Sequence, residues 1–186
     1  MVLSVSEFRL HRSLRKLIAQ GLRDRDLQVR MDSAFADVIE ACAATPRPGQ
    51  TGTWIQPALI DAYTALHRSG LAHSVEVYRA GELVGGLYLV NMGRMVFGES
   101  MFSWQANASK VALAALVAFC LANELPLIDC QQETSHLAFM GAMPIRRTAF
   151  LDTIEPLVQP PLVAPHWQFN PQYWRELDER LVAPSA

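Results

Sequence analysis

From Val111 to Ala122 twelve consecutive residues are apolar, and no feature constrains the fold of this chain more. Alanine and leucine dominate the run, and both are strong helix formers. Asn107 or Ser109 can cap its start, and Asn123 marks its end. A helix that is apolar on nearly every side has no face for water, so it must lie at the centre of the molecule under other elements. The run is too short to cross the ~30 Å hydrocarbon layer of a bilayer, which makes it a core helix and not a membrane span. A chain of 186 residues is long enough to enclose it in one sizeable core.

The cover for that helix is legible on both sides of it. Alternation in His73–Tyr78 and Leu83–Val90, around Arg79-Ala80-Gly81-Glu82, predicts an antiparallel hairpin, and Arg94–Gly98 extends it into a meander. Leu27–Met31 reads as a short strand and Leu125–Gln131 as a core strand. Gly85-Gly86 inside the second hairpin strand signals a bulge or the close approach of another backbone. Leu10, Leu14, Leu17 and Ile18 recur at helical spacing, which predicts an amphipathic helix over 8–20. Ser33 is placed to cap a helix with Phe35, Val38, Ile39 and Cys42 on one face. Pro46, Pro48, Gly49 and Gly52 mark a loop, Pro57 opens a helix over 57–68, and Ser135–Met140 forms a short one.

A meander, a buried helix and a following strand suit an α/β fold of the N-acetyltransferase-like (GNAT-like) kind, with a central, mainly antiparallel sheet flanked by helices. We expect it to occupy 1–155, with a basic segment at 1–30. Residues 156–186, rich in proline and aromatics, read as an extended tail packed on the domain and ending in a helix at 171–181. The glycine-rich loop that would cradle a coenzyme A pyrophosphate is missing, since Gln105-Ala106-Asn107-Ala108-Ser109-Lys110 lacks both of its glycines. Ordinary acetyl transfer is therefore disfavoured, and no cofactor is expected.

Three cysteines, Cys42, Cys120 and Cys130, form no C-x-x-C pair and argue for reduced thiols in a cytoplasmic protein. His67, His73 and His136 do not fall at metal-ligand spacing, so no metal is assigned. Net charge near −2 offers no global attraction for nucleic acid, but seven of the sixteen basic residues fall within the first thirty positions. Such a face can bind phosphates, and it equally suits a helix that is merely solvated. Asp129 and Gln131 lie two apart on a predicted strand, so both side chains should leave the same face at its end. Cys130 should then point to the opposite face as a core thiol.

Several ordered words carry more than composition does: Gly52-Thr53-Trp54-Ile55, Ala62-Tyr63, His73-Ser74-Val75-Glu76-Val77, Gly85-Gly86, Phe97-Gly98-Glu99-Ser100-Met101-Phe102-Ser103, Asn107-Ala108-Ser109-Lys110 and Leu127-Ile128-Asp129-Cys130-Gln131. Over roughly residues 1–155 the chain closely resembles the transferase domain of bacterial leucyl/phenylalanyl-tRNA–protein transferases. Those enzymes move an amino acid from a charged tRNA to the N-terminus of a protein.

The resemblance implies a GNAT-like fold and a tRNA-dependent aminoacyltransferase of the N-degron pathway. Its donor would be leucine, phenylalanine or a similar apolar residue, and its acceptor a protein beginning with Arg or Lys. Aminoacyl-tRNA and the acceptor are then its partners. Asp129 and Gln131 are the implied catalytic pair. Either the carboxylate polarises the glutamine, whose carbonyl oxygen helps to take a proton from the attacking amine, or both residues position the reactants while the tRNA hydroxyl relays the proton. Glu99 is implied to bind the cationic acceptor, while Trp54 and Tyr63 contact the terminal adenosine or shape the reactive centre. Leu87, Val96, Met101, Leu116 and Cys120 correspond to the pocket for the transferred side chain. Arg9, Arg12, Arg15 and Lys16 correspond to a patch for the tRNA acceptor stem.

The match starts where the family's additional N-terminal domain would end. We therefore expect that domain to be absent, with a relaxed choice among donors or a partner, such as a second copy, completing the pocket. Two other functions fit the same residues: amide-bond formation on a small-molecule amine, and a tRNA- or peptide-binding module without turnover.

Overall fold

The computed structural model describes residues 1–46, 52–159 and 166–182. The hairpin forms around Ala80 and Gly81, both at positive φ (48° and 89°), the left-handed pair that joins antiparallel strands without splaying them. It links β3 (Ala72–Arg79) to β4 (Glu82–Met92), and β4 runs on into β5 (Met95–Ser103). With β2 (Leu27–Met31) on the far side of β3, these four strands make an antiparallel meander. The apolar run becomes α4 (Ala108–Ala122), which carries the chain over one face to β6 (Leu127–Asp129). That crossover lays β6 parallel to β5. At the edge, β1 (Val2–Ser4) pairs antiparallel with β6, completing a mixed six-stranded sheet in the order β1-β6-β5-β4-β3-β2.

Helices cover both faces. Alternation along β4 sends Leu87 and Leu89 into the core under α4, while Tyr88 turns to the core under α2 (Phe35–Ala44) and α3 (Pro57–Arg68). α1 (Arg12–Arg23) and α7 (Tyr173–Val182) flank α4, and all but the ends of α4 are buried. Gly85 is what lets α4 lie so close, since a Cβ there would come within 2.5 Å of the Ala108 Cβ. A Cβ on Gly86 would come within 2.7 Å of the Val75 carbonyl oxygen. Trp167, Trp174 and Leu177 are part of the same core, with the Trp167 ring stacked 4.0 Å from His73 and 4.5 Å from Phe119. None of the helices among the described residues is long and apolar enough to cross a membrane.

Local expectations fail in five instructive places. α1 begins at Arg12, not residue 8, because Phe8 is drawn into the core and the Arg9 N–H donates to the Met140 carbonyl at 2.9 Å. Ser33 does not cap α2; its hydroxyl donates to buried Glu76 at 2.8 Å. Asn107 sits at φ 68° and takes up Lys110, while the Ser103 hydroxyl accepts the Ser109 N–H at the start of α4. β5 runs five residues beyond Gly98, and β6 stops at Asp129 instead of reaching Gln131.

The fifth is a helix the sequence hides, α6 (Arg147–Val158), with Pro156 in its last turn. Phe150, Ile154, Leu157 and Val158 pack on Met95 and Leu127, and that packing outweighs the proline. Of the expected loop over 46–52, residues 47–51 lie outside the described residues, as do Pro160, Pro161 and Pro165 of the tail.

Candidate active site

β5 and β6 pair only from Met95–Phe97 against Leu127–Asp129; beyond that β5 continues alone. Where the strands part, the sheet opens into a cavity of about 1010 Å³. Its floor is apolar: Leu87 from β4, Met101 from β5, Leu113 and Leu116 from successive turns of α4, Ile128 from β6, and Leu137 from α5 (Ser135–Phe139). Its rim is polar, with Glu99, Ser100, Gln131, Gln132 and Thr134, and Trp54 stands over it, 42% exposed. A deep apolar pocket with a few convergent polar groups at its mouth suits a ligand that is greasy at one end and polar at the other.

The rim is built by two breaks in regular structure. Opposite β4, Tyr88 faces Ser100 and Leu89 faces Gly98, so Glu99 is the extra residue of a bulge. A bulge re-aims a side chain out of the strand's alternation. Glu99 Oε2 accepts from the Tyr63 hydroxyl of α3 at 2.8 Å and from Gln131 Nε2 at 3.1 Å. Gln131 itself sits past the end of β6 at φ 57°, where Asp129 Oδ1 accepts its backbone N–H at 2.8 Å. The expected same-face pair is thus corrected. Asp129 and Gln131 do not alternate on one strand; they meet through a turn, with Asp129 holding the backbone that presents Gln131.

Chemistry follows from these bonds. A carboxylate only accepts, so the Gln131 amide must turn its NH₂ to Glu99, which leaves Oε1 for another partner. Burial, then the hydrogen bond to Glu99, raise the Tyr63 pKa, so its hydroxyl stays protonated as a donor. Cys130 lines the cavity wall and is not the remote core thiol expected from strand alternation, because β6 has ended before it. Burial, then the Asp129 charge, push its thiol up to about 12, which leaves it protonated and a poor nucleophile. His136 also lines the cavity; burial, then Lys110, lower its pKa and favour the neutral ring. Among the described residues no cluster of His, Cys, Asp and Glu could hold a metal ion.

Of the remaining residues singled out in the sequence, Leu87, Met101 and Leu116 face the cavity, whereas Val96 and Cys120 do not. Val96 lies where β6 is still paired to β5, and Cys120 is a full turn beyond Leu116; both are 0% exposed. Burial alone raises the Cys120 thiol pKa. Leu113, Ile128 and Leu137 take wall positions that no sequence signal separated from ordinary core. Tyr63 reaches the site through Glu99 and is not a wall residue itself. In the basic segment, Arg9, Arg12 and Lys16 are exposed. Arg15 is half-buried, and its Nε lies 2.8 Å from Asp178 of α7, which leaves its terminal guanidinium nitrogens outside that pair.

A family model described as leucyl/phenylalanyl-tRNA protein transferase matches residues 2–155. A protein of Polaromonas sp. named leucyl/phenylalanyl-tRNA–protein transferase is 54% identical over 177 residues, covering 95% of this chain and 69% of its own length. One of the same name from Leptothrix cholodnii is 56% identical over 97% of this chain and 70% of its own length. Another, from Cupriavidus taiwanensis, is 50% identical over 100% of this chain and 74% of its own.

Proposed function

The chain belongs to the leucyl/phenylalanyl-tRNA–protein transferase family, and from that premise we propose how its cavity works. It is an aminoacyltransferase that moves leucine, phenylalanine or a similar apolar residue from aminoacyl-tRNA to the N-terminal amine of a protein beginning with Arg or Lys. The observation that carries the reading is the Tyr63–Glu99–Gln131 cluster set at the mouth of an apolar cavity.

The donor side chain occupies the floor formed by Leu87, Met101, Leu113 and Leu116, which puts its ester at the rim. Trp54 stacks on the terminal adenosine, a contact that tolerates any base. Glu99 meets the cationic acceptor, with the Tyr63 hydroxyl and Gln131 amide fixing its carboxylate. The acceptor amine attacks the ester carbonyl carbon; a C–N bond forms, the bond to the ribose oxygen breaks, and one amine proton ends on that oxygen. An aminoacyl ester is already activated, so the site chiefly needs proximity and a partner for the amine proton. Gln131 Oε1, left over once Nε2 is committed to Glu99, is that partner, and Asp129 positions it. No covalent intermediate is required, in keeping with a protonated Cys130.

Arg9, Arg12 and Lys16 carry the tRNA phosphates. The domain comprises 1–155 and is GNAT-like in its meander, crossover helix and parallel final strand, with Trp167, Trp174 and Leu177 of the tail packed into its core. The protein works in the cytoplasm, where charged tRNA is found. Incubation with charged tRNA and a panel of acceptors tests the function. Transfer to Arg- and Lys-starting peptides is expected; transfer to small amines alone, or binding without transfer, would overturn it.

A further inference from the structure

Between the cavity and the basic start of α1 lies an exposed aromatic side chain that the reaction as described does not use. Phe139 is the last residue of α5 and is 51% exposed. It stands three residues after His136, on the same side of the helix, and His136 lines the cavity. One face of its ring is covered by His11, with centroids 3.7 Å apart and planes 14° off parallel. The arrangement is held in place: His11 Nε2 and the Phe139 carbonyl oxygen are 2.7 Å apart, and the Arg9 N–H donates to the carbonyl of Met140. Exposed Arg9 and Arg12 flank His11 in sequence, with Lys16 one turn further along α1 and Glu7 the acid nearest to His11 in the chain.

A single exposed phenylalanine is ordinary by itself; what sets Phe139 apart is the imidazole stacked on it and the basic segment that carries that imidazole. Arg9 and Arg12, on either side of His11 in sequence, are exposed cations, which suits neither a membrane interior nor an apolar partner helix. A flat apolar ring backed by an imidazole, with exposed arginines on either side of that imidazole in the chain, is what a single nucleic-acid strand uses: its bases stack while its phosphates are neutralised. We propose that Phe139, supported by His11, is a stacking platform for an unpaired base of the donor's 3′ end. The stacked base lies upstream of the terminal adenosine that enters the cavity. This rests on the reading of the donor as aminoacyl-tRNA. It gives α5 two roles, with its first turn walling the pocket and its last residue holding the strand that leads into it.

The experiment compares the full chain with Phe139→Ala, Phe139→Trp and Leu151→Ala, using charged tRNA and a minimal donor, an amino acid esterified to adenosine alone. Leu151 is equally exposed, at 45%, but lies on α6 away from the basic segment. Phe139→Ala should weaken tRNA binding on the order of ten-fold, and Phe139→Trp should restore it. Turnover of the minimal donor should not change in either variant, and Leu151→Ala should behave as the parent with both donors. The salt dependence should keep its slope in Phe139→Ala, since no phosphate contact is lost, yet flatten in Arg9→Gln/Arg12→Gln. Unchanged tRNA affinity in Phe139→Ala, or an equal loss on the minimal donor, would overturn the platform alone. A parent that used neither donor would overturn the transferase reading and the platform together.

Discussion

Two glutamates turn to the α2–α3 side of the same sheet, and each accepts from two side-chain donors, yet they belong to different kinds of structure. Glu76 on β3 is 0% exposed and accepts from the Ser33 and Ser74 hydroxyls at 2.8 and 2.5 Å. Glu99 on β5 is half-buried and accepts from Tyr63 and Gln131 at 2.8 and 3.1 Å. The difference is what stands beside each strand. At Glu76, β3 has Arg30 of β2 on one side and Gly86 of β4 on the other, so Glu76 is sealed and its bonds tie the end of β2 to the sheet. β5 loses β6 after Phe97, so Glu99 faces a cavity with carboxylate capacity to spare. A satisfied buried acid rigidifies, whereas a half-satisfied one at an opening binds.

Substitutions can break that contrast, and the largest effect belongs to the open site. Gln131→Ala should lower the rate of transfer by about 10²-fold or more, with the melting temperature unmoved; transfer at the parent's rate would remove Gln131 from the reaction. Asp129→Ala should follow it in direction, because it frees the turn that presents Gln131. Glu99→Gln should raise the acceptor KM roughly ten-fold or more, as a bond to a cation is worth ~1.5–3 kcal/mol. A selective loss of donor binding instead would show the roles to be misassigned.

Glu76→Ala should do the reverse. Leaving the buried Ser74 hydroxyl without its acceptor, and releasing the exposed Ser33, should destabilise the chain by ~1–3 kcal/mol in a urea titration, while activity per folded molecule stays at the parent's level. Tyr63→Phe should be milder, removing one neutral donor worth ~1 kcal/mol and so costing acceptor kcat/KM a few-fold.

The smallest effect is a pH slope. Burial holds the Glu76 carboxyl above its ordinary value, outweighing the Ser74 and Ser33 hydrogen bonds that lower it; nearby Asp32 adds to the rise. The folded chain then keeps a proton that the unfolded chain has released. The stability from this group is complete below the unfolded carboxyl pKa and is lost as pH rises through the raised folded value. Urea midpoints from about pH 4 to about pH 8 should decline more steeply in the parent than in Glu76→Gln. Parallel curves would mean that Glu76 does not titrate in that window.

Much of this was legible in residue order. The hairpin at Ala80-Gly81, the strand Leu27–Met31 and the helix opened by Pro57 follow from alternation and turn chemistry, which act over a few neighbours. The short apolar stretch of α6 did not show, because Pro156 reads locally as a stop while the packing that overrides it comes from β5 and β6. Glu99, Gln131 and Asp129 were found by their words, but their geometry was not. A bulge at Glu99 depends on how β4 pairs with β5, and the turn at Gln131 depends on where β6 loses its neighbours. Val96 and Cys120 failed for the same reason, since apolar residues on one helix or strand look alike until the cavity picks among them.

By itself, the sequence determined that α4 must be buried. An unbroken apolar helix has no other stable place in water, and Gly85 allows the close packing that such a burial demands. The family words likewise singled out Glu99, Asp129 and Gln131. Only the tertiary structure decided that β5 outruns β6, and that a gap of about 1010 Å³ opens beside the bulge. It also decided that Arg15 pairs with Asp178 of α7, and that Phe139 comes to rest under His11. Each of these depends on contacts between residues far apart in the chain, and periodicity carries no information about which distant surfaces will meet.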